Sequence, residues 1–196
     1  GSRRELQEAL AAGLPVFLQK ITGELPRPED CSPLAEIWNM KDKTNAVRML
    51  TQVGIPCREA FYEYDEKDLN GMHAAHSIGM NPEQVFKTLV ARGERTGIHV
   101  FCIPVCCELD LKKAAKAAGD KSMELVAVKE LLSLTGYIRG GCSPVGMKKK
   151  YPTYLDETAI LFDRIAVSAG ERGHQMLVPP DALAALVGAE YYDLTK

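Results

Sequence analysis

Short apolar stretches separated by turn residues recur along the chain from about residue 43 onward. Apolar positions at helical spacing predict helices over 45–53, 72–78, 111–118 and 182–187, with one or two helical turns over 129–134. Apolar runs bounded by turn residues predict strands over 57–64, 88–91, 98–105, 123–128, 165–168, 175–178 and 189–194. Helices and strands interleave, but several neighbouring strands are joined by hairpin-length loops. This pattern predicts an α/β (mixed α+β) fold with a mixed sheet.

The first 39 residues differ in character from the rest. Apolar positions recur at near-helical spacing, but Gly13-Leu14-Pro15 interrupts them, and the segment 23–33 carries three prolines. We therefore expect residues 1–39 to be an N-terminal extension, a fusion or a vector product. Residues 40–196, starting at Met40, are expected to form the domain.

Composition places the chain among ordinary soluble globular proteins, with 46% apolar and 26% charged residues. Its longest apolar runs are strand-sized, too short to span a bilayer, and no secretory signal is visible. A cytoplasmic location without a membrane partner is the expectation. A formal net charge of −2 argues against general nucleic-acid binding, including DNA, but allows one local basic face.

The six cysteines form neither a small disulfide framework nor a Cys-x-x-Cys pair. His73 and His76 are three residues apart, but this spacing and that of Cys102, Cys106 and Cys107 do not match a tetrahedral zinc site. Cys102 and Cys106 are expected to lie in the core at a strand end. No phosphate-binding Walker loop and no dinucleotide fingerprint occurs, so the sequence predicts neither a metal nor another cofactor.

The first candidate site surrounds Lys87. Asn81 is a suitable N-cap and Pro82 a suitable first residue, which predicts a short helix that runs into a β-prone stretch at Thr88. Apolar residues flank the lysine on both sides. On pattern alone, such a lysine is typical of a side chain that packs its stem on apolar neighbours and keeps its ammonium in water.

The second candidate site is the glycine-containing segment 140–146. Gly140 and Gly141 permit positive φ and close approach of a ligand, and consecutive N–H groups can point at one oxygen, such as the oxyanion of an attacked ester. The same composition is also typical of a plain tight turn, and composition alone favours that alternative. Cys142 in this turn is an alternative candidate, a nucleophile whose pKa nearby lysines would lower, although no histidine has an evident pairing role.

A basic cluster follows this turn. Together with Arg139 and with Lys112, Lys113 and Lys116, the cluster of Lys148, Lys149 and Lys150 could form a surface that binds the phosphates of RNA. Runs of like charge are more often simply solvated faces of a protein, and that alternative remains open.

Taken in order, several segments resemble the YbaK/EbsC family of aminoacyl-tRNA deacylases, which are related to the editing domain of bacterial prolyl-tRNA synthetases. The similarity runs from about residue 43 to the C-terminus. The segments that carry it are Asn-Pro-Glu-Gln-Val-Phe-Lys-Thr-Leu at 81–89, Glu-Leu-Asp-Leu-Lys-Lys at 108–113, Thr-Gly-Tyr-Ile-Arg-Gly-Gly-Cys-Ser-Pro at 135–144, Lys-Lys near 149, Pro-Thr at 152–153 and Ser-Ala-Gly-Glu-Arg-Gly at 168–173.

The resemblance implies a mixed, partly barrel-like sheet surrounded by helices. It implies that Lys87 is the key lysine, with Thr88 beside it, and that Gly140 and Pro144 are the ends of a Gly-x-x-x-Pro loop. Inside that loop lie Gly141, Cys142 and Ser143. The implied catalytic residues are Lys87, Gly140 and Gly141. The implied substrate contacts are Thr88, Cys142, Ser143, Pro144 and Tyr62, which matches an aromatic residue of the pocket. Some relatives carry a carboxylate where Gln175 falls, so no acid or base is assigned there.

The activity implied by the resemblance is removal of a wrongly attached amino acid, chiefly cysteine, from the acceptor end of proline tRNA. Cysteine and proline are similar in size, and a pocket rejects a near-isostere only weakly, so a second site must remove the error. The family mechanism is thought to use the substrate's own thiol. Three alternatives remain: an alanyl-tRNA(Pro) deacylase, a cysteine-nucleophile hydrolase, and a non-catalytic module that binds tRNA or a synthetase. Prolyl-tRNA synthetase is the partner that the family implies.

Overall fold

Residues 43–67 and 69–196 are described by the computed structural model, and the predicted extension at 1–39 and Met40 lie outside the described residues. The helices are α1 (Asn45–Gln52), α2 (Gly71–Ser77), α3 (Leu111–Ala117), α4 (Val128–Thr135) and α5 (Pro180–Val187). The strands are β1 (Arg58–Phe61), β2 (Phe86–Gly93), β3 (Gly97–Pro104), β4 (Met123–Leu125), β5 (Thr153–Asp156), β6 (Ile165–Ser168), β7 (His174–Val178) and β8 (Ala189–Tyr192). Two 3₁₀ helices cover Pro82–Gln84 and Glu157–Leu161.

The strands form two sheets. The larger sheet has the order β4-β2-β3-β5-β8, in which β2 pairs antiparallel with β3 and β4, while β5 pairs parallel with β3 and β8. The smaller sheet, β1-β7-β6, is antiparallel. An isolated bridge between Val85 and Ala166 joins the start of β2 to β6. The predicted mixed α/β fold is confirmed, but the sheets of the described residues do not close into a barrel.

The principal core lies where α1 and α5 meet strands of both sheets. Thr44 caps α1 by accepting a hydrogen bond from the Val47 N–H, and the apolar stripe of this helix buries Val47 and Leu50. Residues of β2, β5, β6 and β7 complete the core. A second cluster packs α3 against Phe101 and Ile103 of β3. No helix in the described part of the chain has the length and apolar character needed to cross a membrane.

The segment around Lys87 differs from the sequence prediction. Asn81 does act as an N-cap, but the helix is a single 3₁₀ turn, and Lys87 lies in β2 and not at a helix end. The reason is pairing across eight residues with β3, which outweighs the local helix-start signal. Lys87 therefore projects from a rigid, centrally placed strand.

One further prediction is corrected, and one strand is added. Cys102 is buried in β3 as expected, but Cys106 is exposed in the turn that follows this strand. The strand β5 was not predicted at all. Its four residues are too few for a periodic signal, and the strand exists because it pairs with β3 and β8, which are distant in sequence.

Candidate functional site

A cavity of about 650 Å³ opens beside β2, within the range of small-molecule sites. The pairing of β4 with β2 covers Ala91–Gly93, and the preceding residues 87–90 line the cavity. Arg139, Gly140 and Cys142 of the glycine turn and residues of β6 and β7 also line the cavity. The polar and glycine residues of the lining that matter below are Tyr62, Lys67, Lys87, Thr88, Arg139, Gly140, Ser168, Arg172 and Gln175.

Lys87 presents its ammonium to this cavity. Its side chain is half-buried, and Nζ donates a hydrogen bond to the Val105 carbonyl at 3.3 Å. Burial lowers the pKa of the Lys87 ammonium, an effect that the neighbouring Cys107, Cys106 and Glu108 oppose. An ammonium has three N–H donors, and one of them is used by Val105. A partly desolvated cation with remaining donors gains from an anionic or polar ligand.

The turn at Gly140 lines the same cavity as this lysine. Gly140 has φ = +87°, a conformation that favours glycine. A Cβ on Gly141 would lie 3.0 Å from the Glu171 backbone, so a larger residue would force the two backbones slightly apart. The Gly141 N–H, however, donates to the Ile138 carbonyl at 3.0 Å. Of the N–H groups expected to face one oxygen, that of Gly141 is therefore engaged inside the turn.

Hydrogen bonds within the loop hold it in shape. The Tyr137 hydroxyl donates to the Val145 carbonyl at 2.6 Å, and the Ser143 hydroxyl accepts the Val145 N–H at 3.2 Å. Ser143 and Pro144 are buried and do not contribute to the cavity lining. The structure thus places these two predicted substrate contacts inside the loop, where they stabilise its conformation.

Cys142 does line the cavity, but its environment disfavours a nucleophile. Cys142 is only 8% exposed, and burial raises the pKa of its thiol to about 12. A hydrogen bond with the Thr135 side chain lowers this pKa but does not offset the effect of burial. The thiolate, which is the reactive form, is therefore scarce near neutral pH. Within the described residues, His, Cys, Asp and Glu form no group of three that could hold a metal ion.

Tyr62 and Thr88 are two further predicted site residues. Both line the cavity. The Tyr62 N–H donates to the Gly173 carbonyl at 2.9 Å, which fixes the aromatic residue against the turn before β7. The Thr88 hydroxyl is 3.8 Å from the Cys102 sulfur.

Gln175 is a site residue that the sequence did not assign. It pairs with Ser168 across β6 and β7, and both residues line the cavity. Gln175 is only 6% exposed, and its Oε1 has no hydrogen-bond partner among the described residues. Because buried polar atoms are nearly always paired, this acceptor indicates a place for a ligand donor. A glutamine in a sequence does not by itself indicate a ligand contact. That indication comes from the burial of its side-chain oxygen in the folded structure.

The charge of the lining is one-sided. Four cationic side chains contribute to it, those of Lys67, Lys87, Arg139 and Arg172, and none of the described lining residues is a carboxylate or a histidine. Arg172 donates from Nε to the Arg139 carbonyl at 3.1 Å and pairs with Glu66 at 2.9 Å. Such a cavity attracts a polyanion such as the end of an RNA strand.

The three consecutive lysines lie outside the lining, whereas Arg139 is part of it. Lys148, Lys149 and Lys150 are all exposed. Nζ of Lys148 lies 3.4 Å from the Leu132 carbonyl, to which it donates, and its stem packs beside Gly136. Lys149 and Lys150 are therefore the more suitable candidates for contacts to phosphates away from the cavity.

Comparison with known proteins supports the same interpretation. Residues 72–186 match the model of the aminoacyl-tRNA editing domain family, and this range contains the lysine, the glycine turn and β7. The chain is 46% identical over 155 residues to the "Putative Cys-tRNA(Pro)/Cys-tRNA(Cys) deacylase EbsC" of Enterococcus faecalis, covering 79% of this chain and 94% of that protein.

Two solved structures share the fold. One, described as "a putative trans-editing enzyme for prolyl tRNA synthetase", has a TM-score of 0.66 and 27% identity over 85% of this chain and 99% of the other. A hypothetical protein has a TM-score of 0.70 and 21% identity over 76% of this chain and 98% of the other, which shows the fold alone. The chain therefore belongs to the aminoacyl-tRNA editing domain family and is an aminoacyl-tRNA hydrolase.

Proposed function

We propose that the chain is a trans-editing deacylase that removes cysteine from tRNA(Pro). The observation that carries this proposal is the cavity itself: four cations line it, and its described residues offer no carboxylate or imidazole as a general base. Such a site suits an anionic RNA end whose amino acid supplies its own nucleophile. The name of the E. faecalis relative, which includes Cys-tRNA(Pro), supports the same substrate.

In the proposed reaction the substrate's thiol sulfur attacks the ester carbonyl. A carbon–sulfur bond forms, the ester carbon–oxygen bond breaks, and the cysteine leaves as a cyclic thioester. The thiol proton ends on the ribose hydroxyl, so no group of the protein is consumed. The protein contributes by holding the thiol, carbonyl and ribose in one reactive arrangement and by stabilising the developing charge.

Lys87 and the Gly140 turn have complementary roles in this arrangement. The two Lys87 N–H donors that Val105 does not use would bind the ribose–phosphate end of the tRNA. The turn would face the carbonyl; because the Gly141 N–H donates to Ile138, we assign stabilisation of the oxyanion to the neighbouring Gly140 and Cys142 N–H groups. Tyr62 and Thr88 would form the walls around the amino acid.

Gln175 is proposed to bind the α-ammonium group of the aminoacyl ester. An ammonium has donors only, and the buried Oε1 of Gln175 is an acceptor without a partner among the described residues. The bond would orient the amino acid so that its side chain points in one direction. That orientation decides whether a thiol on the side chain can reach the carbonyl.

The other functions predict different chemistry. An alanyl-tRNA(Pro) deacylase would need an attacking water and a base, and the described lining residues provide no carboxylate or histidine for that role. A binding module would retain tRNA without turnover.

Prolyl-tRNA synthetase is proposed as a partner that supplies tRNA selectivity, and failure to co-purify the two proteins with tRNA(Pro) present would count against it.

The primary test is deacylation of Cys-, Ala- and Ser-tRNA(Pro) by the wild type and Lys87→Ala. We expect cysteine-selective release that falls by about ten- to a hundredfold in kcat/KM in the variant, because charge-assisted hydrogen bonds contribute about 1.5–3 kcal/mol. Lys116→Ala, an exposed position on α3, is the matched control and should behave as wild type. Absence of wild-type activity on all three substrates would sink the deacylase proposal and favour the binding module.

The role of Gln175 is tested with Gln175→Leu, which replaces the amide, and with it the acceptor oxygen, by an apolar side chain of similar size. We expect kcat/KM for cysteinyl-tRNA(Pro) to fall by about tenfold, the effect of one hydrogen bond to a charged group. N-acetyl-cysteinyl-tRNA(Pro), which lacks the ammonium, should react equally with both enzymes. An equal loss on both substrates would show that the residue is only structural. Gln52→Ala, exposed at the end of α1, serves as the control.

The cysteine-nucleophile alternative is tested with Cys142→Ala. We expect the variant to release cysteine from tRNA(Pro) at a rate close to wild type, since the buried thiol of Cys142 is protonated at neutral pH. Alkylation followed by peptide mass analysis should modify the exposed Cys106 well before Cys142 in the native protein. Loss of turnover in a folded Cys142→Ala protein would reinstate the nucleophile.

The basic surface is tested by replacing Lys149 and Lys150 together with glutamate. We expect KM for aminoacyl-tRNA to rise and the salt dependence of KM to weaken, by a slope of about one for each lost phosphate contact, while kcat stays unchanged. Reversal of Lys112 and Lys116 on α3 matches the change in charge at another place. Equal effects of the two double variants would indicate general charge attraction and remove the specific role of Lys149 and Lys150.

A further inference from the structure

His174 lies directly behind the cavity wall. It precedes Gln175 in β7, and successive residues of a strand point to opposite faces of the sheet. Gln175 lines the cavity, and His174 packs on the other side against β1. The imidazole is almost completely buried, with 3% of its side chain exposed. It therefore cannot touch a substrate in the cavity.

Both ring nitrogens of His174 contact carboxylates. Nδ1 is 2.7 Å from Oε1 of Glu171, and Nε2 is 2.8 Å from Oε2 of Glu59. The Phe61 ring stacks on the imidazole with centroids 4.2 Å apart and covers it. A carboxylate only accepts hydrogen bonds, and a neutral imidazole has one N–H. The form of the ring that satisfies both contacts is the imidazolium, with two N–H groups.

These contacts fix the turn before β7. Its residue Glu171 is bound to the ring, and the Glu171 backbone is the surface against which Gly141 packs without room for a Cβ. The next residue, Arg172, donates to the Arg139 carbonyl, and Gly173 accepts the Tyr62 N–H. The turn at 171–173 thus supports two walls of the cavity, the glycine turn and the aromatic residue.

We propose that His174, doubly protonated and bonded to Glu59 and Glu171, is a positioning residue for ester cleavage. It holds the 171–173 turn, and through this turn it sets the distance of the Gly140–Gly141 turn and Tyr62 from the substrate. The role rests on the proposed deacylase function, because it concerns the geometry of that cavity. It makes the geometry dependent on a proton that lies outside the cavity.

Loss of one ring proton would break this arrangement. One nitrogen lone pair would then face a carboxylate, either Glu59 from β1 or Glu171 from the turn, and one of the two bonds would become repulsive. Arg172, the next charged residue of the turn, has its guanidinium on Glu66. In the described residues no second cation is recorded in contact with either His174-bound carboxylate, so the imidazolium supplies the positive charge between them.

The test compares wild type with His174→Gln and Glu171→Gln, at a temperature where all three are folded. We expect kcat to fall by about ten- to a hundredfold with little change in KM, because small displacements of a reacting arrangement cost that much. His76→Gln, exposed on α2, is the matched control.

Nitrogen-15 NMR gives a readout that does not need activity. We expect two protonated ring nitrogens in His174, and backbone amide shifts of Gly141 and Tyr62 that change in His174→Gln. A neutral ring or unmoved amides would overturn the proposal. Wild-type inactivity on every aminoacyl-tRNA would instead remove the deacylase function, while the amide shifts would still report whether the ring positions the walls.

Discussion

The close approach of two backbone turns is the constraint on which the site depends. Gly141 lies so near the Glu171 backbone that a Cβ would meet it at 3.0 Å, and Gly140 has a positive φ. Arg172 fastens the same contact by donating to the Arg139 carbonyl. Because neither turn can move without disturbing the other, the cavity wall formed by the glycine turn is set by β7.

The cavity wall that contains Lys87 is rigid because it belongs to β2. Eight residues of this strand pair with β3, so Lys87 cannot shift relative to β3 without breaking the register of the β2–β3 hairpin. The ammonium is additionally held by the Val105 carbonyl. The cavity lining thus includes a cation and a turn that are both held by their surroundings, and catalysis by positioning requires such fixed groups.

The sequence predicted which residues line the cavity better than it predicted their local structure. The ordered motifs identified Lys87, Thr88, Gly140 and Tyr62, all of which line the cavity. The motifs identified these residues even though the sequence predicts Lys87 at a helix end. That local prediction is wrong because pairing with β3 is a non-local effect that a local sequence signal cannot report. Gln175 was missed for the same reason: its unpaired, buried oxygen exists only once β6 and β7 come together. Ser143 and Pro144 belong to the recognised loop, but which side of a loop faces a ligand depends on its internal hydrogen bonds.

Under the proposed mechanism, selectivity follows from what the described lining residues do not provide. Cleavage of an alanyl ester requires water to lose a proton as it attacks, and without a carboxylate or imidazole that proton has no strong acceptor. A cysteinyl ester brings a thiol, whose proton is lost far more easily than that of water and which is already tethered to the carbonyl. A cavity that only positions its substrate therefore accelerates the thiol-bearing ester more than the alanyl ester. Under the proposed mechanism, discrimination arises from the chemistry of the amino acid and not from the fit of its side chain, which the similar size of cysteine, alanine and serine would make weak.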